Sequence, residues 1–259
     1  MNTKINDNSI PAQVTLLGAG PGDPELITVR GLKRLKAAEV LIYDDLAGSE
    51  LPNEVPAGCE KIYVGKRAGK HSRPQGEINA LILEHARRGK RVVRLKGGDV
   101  FVFGRGGEEI EALAGAGISF EVVPGITAAL AAGAAAHIPL THRDLASSLV
   151  FITGHEAVRP GDPGVPWEQY AKLRATLCVY MGAVRLPIIA GRLLAGGLAH
   201  GTPAAAVIRA GRPDMKVVPF DLGRAAAGEL SGEVVSPAIV VIGDVARFAC
   251  AAQAFAGVN

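Results

Sequence analysis

The 259-residue chain is 48% hydrophobic and 20% charged, with 28 Lys and Arg against 25 Asp and Glu, a formal net charge of +3. That balance excludes a disordered chain, and the length suits one large α/β domain or two smaller ones. Three scattered cysteines (Cys59, Cys178 and Cys250) exclude a disulfide framework and a Cys-x-x-Cys metal site, and no apolar run reaches the ~18 residues of a membrane span.

Met1 to Gln13 is polar and lacks the basic start and apolar run of a secretory leader, which with the scattered thiols points to a reducing cytoplasm. Short β-branched runs follow at Val14-Leu17, Val40-Tyr43, Lys61-Val64, Arg91-Leu95 and Phe120-Val123. Segments of helical spacing lie between them. Leu26, Val29, Leu32 and Leu35 repeat after Asp23-Pro24, an N-cap followed by proline at the first helical position. Ile78, Leu81, Ile82 and Leu83 predict a second helix ending near Gly89, and Ile110 with Leu113 a third closed by Gly115 and Gly117. Such alternation predicts a largely parallel sheet covered by helices.

A domain boundary is expected near Pro124-Gly125, giving an N-terminal α/β domain over 1–124 and a C-terminal one over 125–259. Thr127–Ala136, with seven alanines in ten residues, reads as a closely packed helix. Strands are then predicted at Leu149-Thr153, Leu177-Met181, Ala204-Ile208, Lys216-Phe220 and Ala238-Ile242. Some of these stand close together, so this half is expected to carry a mixed sheet. Residues 158–166, rich in proline and glycine, read as a surface loop.

The 33 glycines approach twice the usual ~7% share, and two clusters of them stand at predicted strand ends. Leu17-Gly-Ala-Gly-Pro-Gly-Asp23 follows the first strand and opens the first helix. Its glycines fall at 18, 20 and 22, with Pro21 between, so the dinucleotide fingerprint fails on spacing. Asp44, at the end of the second strand, still leaves a nucleotide open, and the loop reads equally as a ligand loop or a structural turn. Leu95-Lys-Gly-Gly-Asp-Val-Phe-Val-Phe-Gly-Arg-Gly-Gly-Glu108 is more informative. It sits at the carboxyl end of a predicted strand, where open α/β sheets bind ligands. Gly97 and Gly98 allow close backbone approach, Asp99 orients a small molecule, and Arg105 suits bidentate carboxylate recognition. A plain glycine-rich surface loop would not need Phe101 and Phe103 alternating through it.

These residues carry a resemblance. Gly18-Ala-Gly-Pro-Gly-Asp-Pro24, Tyr43-Asp44, Val64-Gly-Lys-Arg67, Arg94-Leu-Lys-Gly-Gly-Asp99 and Phe103-Gly-Arg-Gly-Gly-Glu-Glu109 occur in order, followed by Val123-Pro-Gly-Ile-Thr127, Ile138-Pro-Leu-Thr-His-Arg-Asp144 and Tyr180-Met-Gly182. Over about residues 13–247 the chain resembles the uroporphyrinogen-III C-methyltransferases of the tetrapyrrole methylase class. The resemblance implies two α/β domains with an active-site cleft between them, in a homodimer. It implies S-adenosyl-L-methionine (SAM) as methyl donor and S-adenosyl-L-homocysteine as product. The implied reaction methylates C2 and C7 of uroporphyrinogen III to give precorrin-2, and the chain would be a stand-alone methylase. The implied SAM contacts are Pro21, Gly97, Gly98, Asp99, Val102, Thr127, Ala128, Met181 and Ala210. Asp44 takes the family's proton-acceptor position and Lys66 its proton-donor position, while Arg105 falls where substrate binding or proton handling is expected.

The chemistry can be weighed separately. A sulfonium already activates the methyl group, so alignment with the carbon nucleophile is the main demand, followed by loss of a proton from the pyrrole. Asp44 suits either the base or the stabiliser of cationic ring character; a solvated strand-end carboxylate is the other reading. Lys66 is better read as a cation for a substrate carboxylate, since a sulfonium needs no proton donor.

A polycarboxylate calls for a basic surface. Residues 61–105 hold twelve Lys and Arg against Glu77, Glu84 and Asp99, a local +9 that leaves −6 elsewhere. Nucleic acid is the rival polyanion and is not expected: Arg87, Arg88, Lys90 and Arg91 straddle a helix-to-strand turn and read as solvated. Lys66, Arg67, Lys70, Arg73 and Arg105 are the substrate candidates, joined by His142-Arg143, although His142 alone reads as structural.

Several positions depart from the family pattern: Val100 for a usual proline, Ala135 and His137 before Ile-Pro-Leu-Thr, Asp45 with Ala47-Gly48 after Tyr43-Asp44, and Ala210 in Arg209-Ala-Gly211. Rival readings are another precorrin methyltransferase, a methylase of RNA or protein, and a non-catalytic SAM- or tetrapyrrole-binding protein.

Overall fold

The computed structural model describes residues 12–65, 73–155 and 164–249. The chain divides into two compact units, Met1–Ile126 and Thr127–Asn259.

The first unit runs β1 (Val14–Gly18), α1 (Val29–Leu35), β2 (Val40–Tyr43), β3 (Glu60–Tyr63), α2 (Gln75–Arg87), β4 (Val92–Lys96), α3 (Gly106–Gly115) and β5 (Phe120–Val123). Its sheet is wholly parallel in the order β3-β2-β4-β1-β5. A parallel sheet is covered on both faces, which is why β1 and β4 are buried along their length and β2 at all but Tyr43. Alternate residues divide between two cores. Leu16, Ile42 and Val92 meet Ile78 and Ile82 of α2 and Leu113 of α3; Leu17, Leu41, Val93 and Leu95 meet Leu35 of α1 with Leu51 and Val55. Glu121 of β5 accepts hydrogen bonds from Thr15 of β1 and Arg34 of α1, tying helix to sheet edge.

The first helix is shorter than its sequence spacing predicts. Asp23 caps only a 3₁₀ turn at Pro24–Leu26, accepting from the Glu25 amide at 2.9 Å. Thr28 is extended and caps α1 through the Gly31 amide at 3.1 Å. The β-branched run Ile27-Thr28-Val29 weakens a continuous helix, and a second cap restarts it.

The second unit runs α4 (Ala128–Ala135), β6 (Ser148–Thr153), α5 (Trp167–Tyr170), β7 (Ala175–Tyr180), α6 (Leu186–Ala195), β8 (Pro203–Ile208), β9 (Lys216–Asp221), α7 (Leu222–Ala226) and β10 (Ala238–Ile242). Its sheet is mixed, ordered β6-β7-β10-β8-β9; only β6 and β7 are parallel. Pro219 sits in β9, an edge strand, where its missing donor interrupts no ladder. The larger core packs Leu177, Val179, Ala204, Ala206, Val240 and Ile242 of the sheet against Trp167, Ile189 and Leu193. Cys178 points to the other face and is fully buried, which pushes its thiol up to about 12. Helices α5 to α7 were not predicted, although Leu186, Ile189, Ala190 and Leu193 carry the apolar spacing of α6.

Two glycines illustrate how packing decides a substitution. A Cβ on Gly18 would stand 2.5 Å from the Gly125 nitrogen and 2.7 Å from the Gly98 oxygen, both backbone atoms, whereas one on Gly191 of α6 meets nothing within 4 Å. Gly18→Ala is expected to destabilise the protein by about 1–3 kcal/mol and Gly191→Ala to stabilise it by about 0.5–1 kcal/mol, as read by denaturant unfolding.

Candidate functional site

In the first unit three loops leave the carboxyl ends of the adjacent strands β4, β1 and β5. They pack on one another through backbone. Gly20 and Gly98 exchange hydrogen bonds, Gly20 N–H to Gly98 O at 3.1 Å and Gly98 N–H to Gly20 O at 2.6 Å, while the Ala19 amide donates to Lys96 O at 2.7 Å. The Asp99 carboxylate closes the assembly. Its Oδ1 accepts from the amides of Phe101 (2.8 Å) and Val102 (3.3 Å), and its Oδ2 accepts from the Gly125 amide at 3.1 Å. Asp99 therefore holds two loops in place. Gly18, Gly97 and Gly125 are small for the same reason: a Cβ would strike Gly125 from Gly18, Leu46 from Gly97, and Gly98 from Gly125. Val100 is fully buried and anchors the loop in the core between sheet and helices, while Phe101 remains 56% exposed. Pro21 and Val102 are half-buried on the same rim.

Beneath that rim lies a buried chain of charges. Asp44, just past β2, accepts from Arg94 Nη2 at 2.9 Å and caps the turn that follows through the Leu46 amide at 3.1 Å. Arg94 is 4% exposed; its Nη1 donates to Leu95 O at 2.8 Å and its Nε to Glu109 Oε1 at 3.2 Å. Glu109, in the first turn of α3 and 1% exposed, receives three donors on that one oxygen: Arg94, Lys96 Nζ at 2.9 Å and Gln75 Nε2 at 3.2 Å. Its Oε2 has no hydrogen-bond partner among the described residues. Burial, with Arg94 close by, pulls the Lys96 ammonium below its ordinary range against the opposing pull of Glu109.

Arg105 stands at the head of α3 with φ +58°, and its guanidinium forms a bidentate pair with Glu108 at 2.8 and 2.7 Å. Lys66, Arg67 and Lys70 lie outside the described residues, as does most of the loop expected over 158–166. Arg73 is exposed just ahead of α2. The basic turn before β4 is ion-paired at the surface: Arg88 to Glu84 at 2.6 Å, and Lys90 and Arg91 to Glu39. His142 Nδ1 accepts from the Asp144 amide at 3.2 Å within a local turn.

The second unit gathers its own four predicted residues at one end of its sheet. Thr127 and Ala128 open α4, Met181 follows β7, and Ala210 lies just beyond β8. Strands β7 and β8 run the same way on either side of antiparallel β10, so their carboxyl ends coincide. Tyr180 joins the first two positions: its buried hydroxyl shares a 2.7 Å hydrogen bond with Thr127 Oγ1 and accepts from the Ala129 amide at 3.0 Å. Met181 (φ +54°) and Arg209 (φ +52°) both occupy the left-handed region, a strained conformation found preferentially at functional sites. A shallow pocket lined by Ala183, Val184, Leu186, Pro187 and Leu230 includes none of the predicted residues. Among the described residues no group of three His, Cys, Asp or Glu side chains is placed to hold a metal ion, and no helix is long and apolar enough to cross a membrane.

Sequence reasoning left Arg94, Glu109 and Tyr180 without roles. Arg94 and Lys96 carried a usable signal, since two cations in a central parallel strand must be buried and therefore matched by an acid.

Comparison with known proteins extends this geometry. An S-adenosyl-L-methionine-dependent uroporphyrinogen III methyltransferase of Methanosarcina barkeri is 47% identical over 233 residues, 90% of this chain and 91% of that protein. A siroheme synthase of Gluconacetobacter diazotrophicus is 48% identical over 235 residues, 91% of this chain but 50% of that protein; the chain thus spans about half the length of the siroheme synthases it matches. The crystal structure of uroporphyrin-III C-methyl transferase from Thermus thermophilus complexed with S-adenyl homocysteine superposes with a TM-score of 0.77 at 41% identity, covering 90% of this chain and 93% of the other. Residues 13–226 match the Tetrapyrrole (Corrin/Porphyrin) Methylases, and with these loops, sheets and relatives the chain belongs to that family.

Proposed function

We propose that the chain is a uroporphyrinogen-III C-methyltransferase that transfers methyl groups from SAM to C2 and C7 of uroporphyrinogen III, giving precorrin-2. The observation that carries this reading is the near full-length match to the Methanosarcina barkeri enzyme on both chains. The reading places SAM against Pro21, Gly97, Gly98, Asp99 and Val102 of the first unit and Thr127, Ala128, Met181 and Ala210 of the second. Each unit carries an exposed apolar side chain beside its own share of these residues, Phe101 at 56% in the first and Met181 at 53% in the second. When bound, SAM supplies a methyl group already activated by its sulfonium.

This chain's own residues then have two tasks. After a ring carbon attacks the methyl group and the thioether leaves, the macrocycle is cationic; Asp44 accepts the proton it then sheds, from a position held by Arg94 and by the Leu46 amide. Arg105, with Lys66 and Arg67, holds substrate carboxylates. The Glu108 carboxylate already fills the Arg105 fork, so a substrate carboxylate takes its place there. We assign Lys66 to substrate binding in preference to proton donation. The reading also includes a homodimer in the cytoplasm, with no nucleic-acid partner and no membrane; the product would enter sirohaem, cobalamin or haem d1 synthesis.

Anaerobic incubation of the purified chain with SAM and uroporphyrinogen III is expected to yield precorrin-2, identified by mass and by the positions methylated. Methylation at other carbons would make it a different precorrin methyltransferase. Binding of both ligands without turnover would make it a binding protein.

Two substitutions probe the second unit. Tyr180→Phe removes the hydroxyl that holds Thr127 and the Ala129 amide, and is expected to weaken SAM binding about tenfold by calorimetry, the equivalent of roughly one lost buried hydrogen bond. Met181→Gly relieves a left-handed side chain. It is expected to leave unfolding stability level or up to about 1 kcal/mol higher while SAM affinity falls. A parallel loss of stability and affinity would contradict that account.

A further inference from the structure

The charges buried beneath the rim of the first unit are an expensive way to fill a core. Desolvating an arginine, a lysine and a glutamate generally offsets what their attraction returns, and apolar side chains of the same volume serve stability as well or better. Arg94, Lys96 and Glu109 are each at least nine-tenths buried, and the chain of ion pairs meets the surface at the Asp44 carboxylate. The arrangement is directional. Glu109 sits in α3, clasps Arg94 through Nε, and leaves Nη2 aimed at Asp44 Oδ2, while Nη1 is fixed on Leu95 O. Arginine alone can make these contacts at once, since its fork carries five donors in a rigid plane.

We propose that Arg94 is a positioning residue for the reaction: it fixes the orientation of the Asp44 carboxylate, and Glu109 fixes Arg94. Asp44 touches the substrate; Arg94 acts only through Asp44. The Leu46 amide holds the Asp44 Oδ1 atom, Arg94 holds Oδ2, and the plane of the carboxylate is thereby set. A base displaced by a fraction of an ångström loses alignment with the proton it must take. This inference rests on the methyltransferase reading above.

Two variants disturb the chain differently. Arg94→Lys keeps the charge but reaches at most one of the two acids. Glu109→Gln can keep its carbonyl oxygen on the three donors and place its amide where Oε2 makes no bond, so that chiefly the charge is lost. Each would be measured in the full chain, alone and combined with Asp44→Ala, for kcat, KM for both substrates, SAM binding and thermal unfolding. In the native background Arg94→Lys is expected to lower kcat about tenfold or more while KM for SAM stays within about threefold. In the Asp44→Ala background the same change is expected to lower kcat less than about twofold, because the group it acts through is gone. Equal losses in both backgrounds would show a merely structural Arg94 and overturn the inference. Should Arg94→Lys fail to fold, Glu109→Gln enters the same cycle with the same expected loss of penalty. A wild-type chain that yields no methylated tetrapyrrole overturns the activity reading and this inference together, whereas an active wild type with equal penalties overturns only the role of Arg94.

Discussion

The first unit depends on backbone meeting backbone where three strands end. Gly18 ends β1, Gly98 and Gly125 follow β4 and β5, and a single carbon added to Gly18 or Gly125 would collide with main-chain atoms of the neighbouring loops. Side chains can rotate away from a clash; a peptide group that also carries ladder hydrogen bonds cannot. Asp99 converts this contact into a fixed geometry by accepting amides from its own loop and from Gly125. The rim is therefore placed by the sheet beneath it, with little freedom left to the loops. This is the preorganisation that a reaction limited by alignment needs.

The second unit uses the same economy at its own sheet end. Gly154 follows β6 and lies against Gly182 after β7, where a Cβ would stand 2.5 Å from the neighbouring Cα. Between these contacts Met181 and Arg209 hold left-handed backbone, and Tyr180 reaches across to the head of α4. Met181 and Arg209 stand just past the carboxyl ends of β7 and β8, while the apolar core around Trp167, Ile189 and Leu193 carries no left-handed residue.

The alternation of strands and helices in the first half was legible because most of its β-branched runs end in glycine or an acid, as at Gly18, Asp44 and Gly65. The mixed sheet of the second half was legible from Ala204-Ile208 and Lys216-Phe220, too close for a crossover helix and paired as a hairpin. Helix α6 was overlooked although its spacing was present, and α5 and α7 are too short for any period to declare itself. The glycine clusters were read as room for a ligand. Much of that room belongs to the protein: Leu46 is what Gly97 makes way for, and Gly125 what Gly18 makes way for. Neighbours brought together from distant stretches of sequence leave no local mark. The same holds for Asp44 and Arg94, whose meeting follows from the pairing of β2 with β4 in register Ile42 to Arg94. The quoted motifs held most of the relevant residues, and what they lacked was the direction each side chain takes.

Strand order also governs how the chain can acquire its structure. Strand β1 pairs only with β4 and β5, so Val14–Gly18 has no partner until residues 92–96 and 120–123 exist. During synthesis the ribosome thus releases an apolar strand, then two more strands and two helices, before the element that belongs beside β1 emerges. Such non-local pairing slows folding and prolongs the exposure of unpaired strand edges. The β8–β9 hairpin in the second unit, by contrast, can form as soon as it leaves the exit tunnel. The first unit is made first but is obliged to wait, since β1 cannot be flanked until β4 and β5 have both emerged.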